Sequence, residues 1–236
     1  MSGHGSDPVV ERSGIPARDP AHGIRIETGS FGPWETNAYL VWDGRSPEAL
    51  VLDPGMGAAE PLVERVAANG LRLTVIANSH GHIDHIFDDA PLMRATDAPL
   101  AIHPDDAYRL DGRNAYGFEL EPVVSARDLR DGEQVRIGDL VLDVLHTPGH
   151  TEGSVCLYEK RLGILLTGDL LFAGSYGRTD LPGGDDEQMV ASLARIARDV
   201  PPGVRVLPGH GAETTMEREL PWLRRIAAAG RLLVPG

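Results

Sequence analysis

The stretch that decides the fold is Asn78-Ser79-His80-Gly81-His82-Ile83-Asp84-His85, which follows the apolar run Leu73–Ala77. In an extended segment alternate side chains share a face, so His80, His82 and Asp84 can point one way while His85 points another. Gly81 lets the chain bend between them. Three imidazoles and a carboxylate within six residues form the nitrogen and oxygen donor set of a zinc-class site. Burying four such polar groups after a core strand is costly unless something binds them.

The same address recurs downstream. Leu140–Leu145 runs into His146-Thr147-Pro148-Gly149-His150, Leu162–Leu166 into Thr167-Gly168-Asp169, and Val204–Leu207 into Pro208-Gly209-His210-Gly211. Each places a His or Asp on a short glycine-bearing turn at the end of a strand, where a rigid sheet positions functional loops. His80, His82, Asp84, His85, His150, Asp169 and His210 are then seven candidate ligands, too many for one tetrahedral metal and enough for two. His146 reads as a strand-end group or a support for the ligands from outside, His103 as structural and Cys156, inside an apolar strand, as a small core residue.

Around these points the pattern is that of an α/β protein. Strand-like runs lie at Ile24–Thr28, Asn37–Trp42, Ala49–Leu52, Leu73–Ala77, Leu100–Ile102, Val135–Ile137, Leu140–Leu145, Ser154–Tyr158, Leu162–Leu166 and Val204–Leu207. Helical spacing marks Ala58–Asn69, Ile86–Arg94, Asp185–Asp199 and Thr214–Ala228, with Met189, Leu193 and Ile196 forming the stripe of a helix that lies on a sheet. Two groups of strands, each followed by helices, predict two packed sheets covered on both sides, an αββα sandwich. Residues 1–22, polar and rich in proline and glycine, are expected to be a flexible tail that holds His4 and His22. No linker interrupts 23–236, so a single catalytic domain is expected there.

The chain has 236 residues and a formal charge of −13, and Lys160 is its one lysine. That acidity, with no basic patch, argues against nucleic-acid binding. A lone cysteine excludes an intrachain disulfide. Neither an apolar leader nor a membrane-length apolar run is present, so a cytoplasmic protein with no membrane partner is expected. Oligomeric state is not readable.

The motifs SHGHIDH, TPGHT, TGD and PGHG, in this order between Asn37 and Glu219, resemble those of the metallo-β-lactamase superfamily. The resemblance implies the αββα sandwich with a dinuclear site at its edge. It assigns His80, His82 and His150 to the first metal, Asp84, His85 and His210 to the second, and Asp169 to both. Asp53, in Leu52-Asp53-Pro54-Gly55, matches a carboxylate that supports the ligands from outside. As a turn-former before Pro54 it has an equally good structural reading. The His at 85 and the Asp at 169 argue against antibiotic-hydrolysing members, and His82 argues against the diiron flavoproteins. RNA-processing members need a basic surface that this chain lacks.

Within the superfamily the chain is similar to glyoxalase II of the short bacterial type, through Gly29–Leu40, Gly168–Asp185 and Pro208–Glu217. That likeness implies hydrolysis of a small anionic thioester such as S-lactoylglutathione, with attack by hydroxide held between two divalent ions. Zinc is the first choice, with iron or manganese as alternatives, and Asp84 would orient or deprotonate the water. Arg178 stands where related thioester hydrolases contact the glutathione moiety, although an ion pair with Asp180 or Asp185 explains it equally well. Tyr176 is a further candidate for the same pocket or for plain packing. Only 26 residues follow His210, enough for one covering helix, so the helical extension that grips glutathione in longer members is expected to be missing. Two alternatives share the motifs. One is a persulfide dioxygenase using one iron on His80, His150 and Asp169. The other is a lactone or ester hydrolase on the same two metals.

Overall fold

A computed structural model describes residues 23–113 and 117–233. The tail expected over residues 1–22 lies outside the described residues. The first sheet is built from β1 (Arg25–Phe31), β2 (Thr36–Trp42), β3 (Glu48–Leu52), β4 (Arg72–Ala77), β5 (Leu100–Ile102) and β6 (Arg127–Asp128), in that order across the sheet. β1, β2 and β3 pair antiparallel, and β3 to β6 run parallel. The second sheet contains β7 (Gln134–Ile137), β8 (Leu140–His146), β9 (Val155–Glu159), β10 (Ile164–Gly168), β13 (Arg205–Pro208) and β14 (Thr214–Thr215), ordered β14-β13-β10-β9-β8-β7. Between β10 and β13 a small hairpin forms from β11 (Leu171–Phe172) and β12 (Ser175–Tyr176).

Period-two alternation explains the layers. On β3, Leu50 and Leu52 face the second sheet while Ala49 and Val51 face outward. On β10, Ile164 and Leu166 enter the same inter-sheet core while Leu165 faces the other way. The outer face of the first sheet is covered by α1 (Ala59–Ala68) and α3 (Asp89–Thr96), which bring Leu62, Val66 and Leu92 to it. The outer face of the second is covered by α4 (Asp186–Asp199) and α5 (Met216–Ala229), through Met189, Leu193, Ile196, Leu223 and Ile226. The expected αββα sandwich is what forms. Cys156 is fully buried in the layer under α4 and α5, and burial pushes its thiol up to about 12.

Three departures from the pattern sit close to the functional loops. The helical run expected over Ile86–Arg94 is instead a single turn, α2 (Ile83–Ile86), followed by α3, because the Asp88 amide donates to the Pro54 carbonyl (2.9 Å) and not back along the helix. Thr214 and Thr215, expected as the first helical residues, extend and pair with β13, as β-branched residues prefer. A 3₁₀ helix over Pro104–Asp111 follows β5, opened by His103, whose Nδ1 accepts from the Asp105 amide. No helix among the described residues is long and apolar enough to cross a membrane.

Candidate metal centre

All seven candidate ligands converge at one end of the sandwich, where strands of both sheets stop. β4 delivers the segment 78–85, β8 the turn with His150, β10 Asp169 and β13 His210. The donor atoms fall into overlapping triads, each within 4.8 Å: His80, His82 and His150; His80, His85 and Asp169; Asp84, His85 and His210. His82 Nδ1 stands 2.8 Å from His150 Nε2, and His85 Nε2 stands 3.3 Å from His210 Nε2. Asp169 spans the two halves, with Oδ2 3.4 Å from both His150 Nε2 and His210 Nε2 and Oδ1 3.4 Å from His85 Nε2. Asp84 Oδ2 lies 3.2 Å from His210 Nε2 and 3.5 Å from His85 Nε2.

The outward nitrogen of each ring fixes what the inward one offers, because a carbonyl or carboxylate partner requires an N–H. His150 Nδ1 donates to the Arg178 carbonyl (2.7 Å) and His210 Nδ1 to the Trp34 carbonyl (3.0 Å). His85 Nδ1 faces Asp53 Oδ2 at 3.0 Å. Ser79 Oγ gives its proton to Asp53 Oδ2 (2.7 Å), so it accepts from His80 Nδ1 (3.0 Å). In the neutral rings, four Nε2 lone pairs and two carboxylates therefore aim into one space. His80 Nε2 is buried with no hydrogen-bond partner among the described residues. A buried acceptor with nothing to accept from is expensive, and this donor set fits divalent cations.

The electrostatics of the metal-free site divide the rings. Burial, with the neighbouring imidazoles, holds His80 well below the ordinary histidine range; burial and His150 take His82 down to about 3. His150 is lowered by burial as well. Burial also opposes charge on His85 and His210, but carboxylates outweigh it. Asp169, Asp84 and Asp53 raise His85 well above its usual value, and Asp169 and Asp84 raise His210 to about 9. Against the effect of burial, His85 and His210 hold Asp84 at about 2, and the same two rings keep Asp169 well below the usual carboxylate range.

Asp53, at the end of β3, is fully buried and sits at φ 54°, a left-handed conformation that aspartate tolerates better than most residues. It shapes the turn, and its carboxylate accepts from Ser79 N and Ser79 Oγ with His85 Nδ1 3.0 Å away. Arg178 borders the cavity of about 210 Å³ that opens onto Trp34, Asp84, His150, Asp169 and His210. Its guanidinium makes a two-pronged pair with Asp180 (2.6 and 2.7 Å), so the ion-pair reading is the one seen. Tyr176 is not part of that cavity's lining. Its ring packs against Trp222 of α5, 6.1 Å between centroids, on the apolar layer under the helices. His103 and His146 lie apart from the seven ligands and stack face to face, 4.0 Å apart and 7° from parallel. With Asp105 they form a further cluster whose donor atoms lie within 4.8 Å, in which His103 Nδ1 accepts from the Asp105 amide and His146 Nε2 meets the Glu152 carbonyl.

Several supports escape sequence reading. Thr36 Oγ1 donates to Asp84 Oδ2 (3.3 Å), and Asn37 Nδ2 holds the carbonyls of Pro208 and Gly211 (2.9 Å each), fixing the His210 turn. Buried Asp106 accepts from Gly81 N, Thr151 Oγ1 and Gly153 N (2.7, 2.7 and 2.9 Å), which ties the two loops carrying His82 and His150 to the 3₁₀ helix. Thr36 and Asn37 lie within the conspicuous stretch 29–40, but nothing around Asp106 signals its role.

Comparison with known proteins places this geometry. The model of the metallo-β-lactamase superfamily matches residues 31–210. A curated relative, hydroxyacylglutathione hydrolase GloC from Haemophilus influenzae, is 30% identical over 83% of this chain and 95% of its own length. Among solved structures, the BLEG-1 B3 metallo-β-lactamase superposes with a TM-score of 0.76 at 31% identity, covering 84% of this chain and 99% of that one. TTHA1623 in a di-iron-bound form gives 0.73 at 38%, covering 82% and 96%. ETHE1 from Myxococcus xanthus gives 0.71 at 28%, covering 86% and 85%. The family match runs from the last residue of β1 to the last of the seven converging side chains, and the chain belongs to the metallo-β-lactamase superfamily.

Proposed function

We propose that this chain is a dinuclear metal-dependent hydrolase of small thioesters. His80, His82 and His150 would hold one divalent ion, Asp84, His85 and His210 a second, and Asp169 both. The position of Asp169 carries this reading, since its carboxylate stands 3.4 Å from nitrogens of each half. When bound, such ions supply Lewis acidity toward a carbonyl oxygen and make water a nucleophile at neutral pH. Zinc is the first expectation from the donor set, and the di-iron relative supports iron as the alternative.

The chain's own groups supply the rest. Asp84, steadied by Thr36 Oγ1 and ionised at neutral pH, is an acceptor placed to orient a water and take its proton. The departing thiolate has a parent pKa near ~8.5, so the absence of a dedicated acid in this scheme is no obstacle. An acidic chain surface supports a small molecule over a nucleic acid as substrate. Arg178 holds Asp180 through Nε and Nη2, so an anionic substituent in the cavity would share its guanidinium with that carboxylate. GloC, by its name a hydroxyacylglutathione hydrolase, supports the thioester class.

The test is hydrolysis of S-D-lactoylglutathione by protein with measured metal content, using Asp169→Asn as the blank. Two metals per chain and turnover lost in the variant are expected. No thioester turnover in protein that holds two metals would remove the reading. A β-lactam belongs in the same assay, because the 31% identity to BLEG-1 means that His85 and Asp169 alone do not exclude that chemistry. Oxygen-dependent persulfide consumption with a single iron would instead favour the dioxygenase reading, which the likeness to ETHE1 keeps in view.

A further inference from the structure

A second cavity, of about 440 Å³, opens beside the metal cavity and shares His82, Ile83 and Leu181 with it. That volume lies within the range of small-molecule sites. Its apolar walls are Ile83 and Ile86 from α2, Leu120 from the segment after the 3₁₀ helix, and Leu181 and Pro182 from the turn beyond Arg178, with Arg109, Asp111 and Arg113 also lining it. Tyr108, more than half exposed, stands on the same groove.

The two cations on this groove each face a carboxylate, with Arg109 Nε buried and without a hydrogen-bond partner among the described residues. Arg109 reaches Glu152 (2.8 Å) and the Pro182 carbonyl (2.9 Å), with buried Asp106 at 3.5 Å. Arg113 pairs with Asp111. The groove is also firmly placed, because Asp106 fastens the 3₁₀ helix to the loops of His82 and His150. It is thus a mostly apolar slot, with its charged side chains beside one another, that begins at the candidate ligand His82 and leads away from the centre.

A thioester has two arms. Common carrier thiols such as glutathione are polar and charged, and their burial against Ile86, Leu120 and Leu181 would leave their polar groups unpaired. An alkyl chain has no such penalty and gains from leaving water. Resting on the thioester-hydrolase reading, we propose that this groove takes the acyl arm, and that the substrate class extends to thioesters whose acyl group is an uncharged aliphatic chain.

The experiment uses non-hydrolysable S-alkyl thioethers of N-acetylcysteamine, from ethyl to octyl, with binding to the full-length, metal-loaded protein followed by calorimetry. The dissociation constant should fall about fourfold for each methylene that enters the groove. Leu120→Asp should flatten the series, weakening the hexyl compound at least tenfold more than the ethyl compound. Tyr108→Asp, at an exposed position that cannot disturb the core, should reduce the slope less. A control series, with ethyl fixed and the amide end of the thiol arm lengthened, should be flat. A flat alkyl series, a slope unchanged in Leu120→Asp, or an equal slope on the thiol arm would each overturn the proposal. The hydrolase reading is scored separately. Absence of turnover with any acyl thioester, while the alkyl slope persists, removes that reading and keeps the groove's occupant; turnover with a flat series does the reverse.

Discussion

Replacing Ser79 by alanine removes one oxygen that touches neither the cavity nor a substrate. That hydroxyl donates to Asp53 Oδ2 at 2.7 Å and accepts from His80 Nδ1 at 3.0 Å, all three residues being buried. Its loss takes one donor from a buried carboxylate, a bond of the charged kind worth about 1.5–3 kcal/mol. It also leaves a buried imidazole N–H without an acceptor, a further ~1–3 kcal/mol. Asp53 keeps Ser79 N and His85, so the lower halves of these ranges apply and the metal-free protein should lose about 3 kcal/mol of stability. The effect on metal is separable. Without Ser79 Oγ, His80 has no fixed acceptor for Nδ1–H, and the tautomer that protonates Nε2 becomes accessible. Loss of such a ligand-orienting partner weakens metal affinity about 10–100-fold. Zinc titration of wild type and Ser79→Ala against a competing chelator measures this, and the histidine ring nitrogen shifts of the metal-free protein report the tautomer. Affinity within twofold of wild type would refute the reasoning, because His80 would then be shown to need no outer partner.

Four further outcomes follow from the same geometry. A Cβ at Gly209 would stand 2.3 Å from Asp169 Oδ1 and 2.7 Å from His85 Cε1, so Gly209→Ala should weaken metal binding at least tenfold, read by the same titration. Asp106→Asn presents an amide where Gly81 N, Thr151 Oγ1 or Gly153 N now donates; thermal unfolding should show a loss of about 2–4 kcal/mol. In the metal-free protein His210 has its pKa raised to about 9 from 6.5, so its stabilising contribution is complete below pH 6.5 and lost as pH rises through 9. Metal must displace that proton, so calorimetric titrations at pH 7 should show an enthalpy that varies with buffer ionisation enthalpy, and affinity should climb toward pH 9. Cys156, buried and pushed up to about 12, should react with an aromatic disulfide reagent only after denaturation.

The convergence of the seven candidate side chains was legible because each combines a costly group with a fixed address. A His or Asp just past an apolar strand, on a glycine turn, states both its chemistry and its end of the sheet. The layers were legible for a related reason: strands such as Leu50–Val51–Leu52 and Ile164–Leu165–Leu166 are apolar on both faces, which only cover from both sides explains. The supports were not legible, because Ser79, Asp106 and Trp34 act through contacts formed across the fold. Asp106 reaches residues 25 and 47 positions away, and His210 finds the Trp34 carbonyl across 176. Spacing carries no trace of such pairs. Of the two readings of Tyr176 the packing one is seen: it lies in a distinctive motif, and on a two-residue strand its ring turns to Trp222 and the helical layer. Motif membership places a backbone, and the direction of the side chain is settled by packing.

The outer partners also explain how so concentrated a set of polar groups can be tolerated before any metal arrives. Asp84 and Asp169 bring two negative charges, and the raised values of His85 and His210 bring two positive ones at neutral pH, so the metal-free pocket is close to balanced. His80, His82 and His150, held neutral by burial and by one another, add donors without adding charge. Under the proposed occupancy, two divalent ions exchange those two protons for four positive charges and leave a centre that is net cationic inside a chain of charge −13. Attraction for a developing oxyanion then depends on the metals being present. The apolar groove fits that arrangement, since it can contribute affinity through an alkyl arm without disturbing the charge balance beside it.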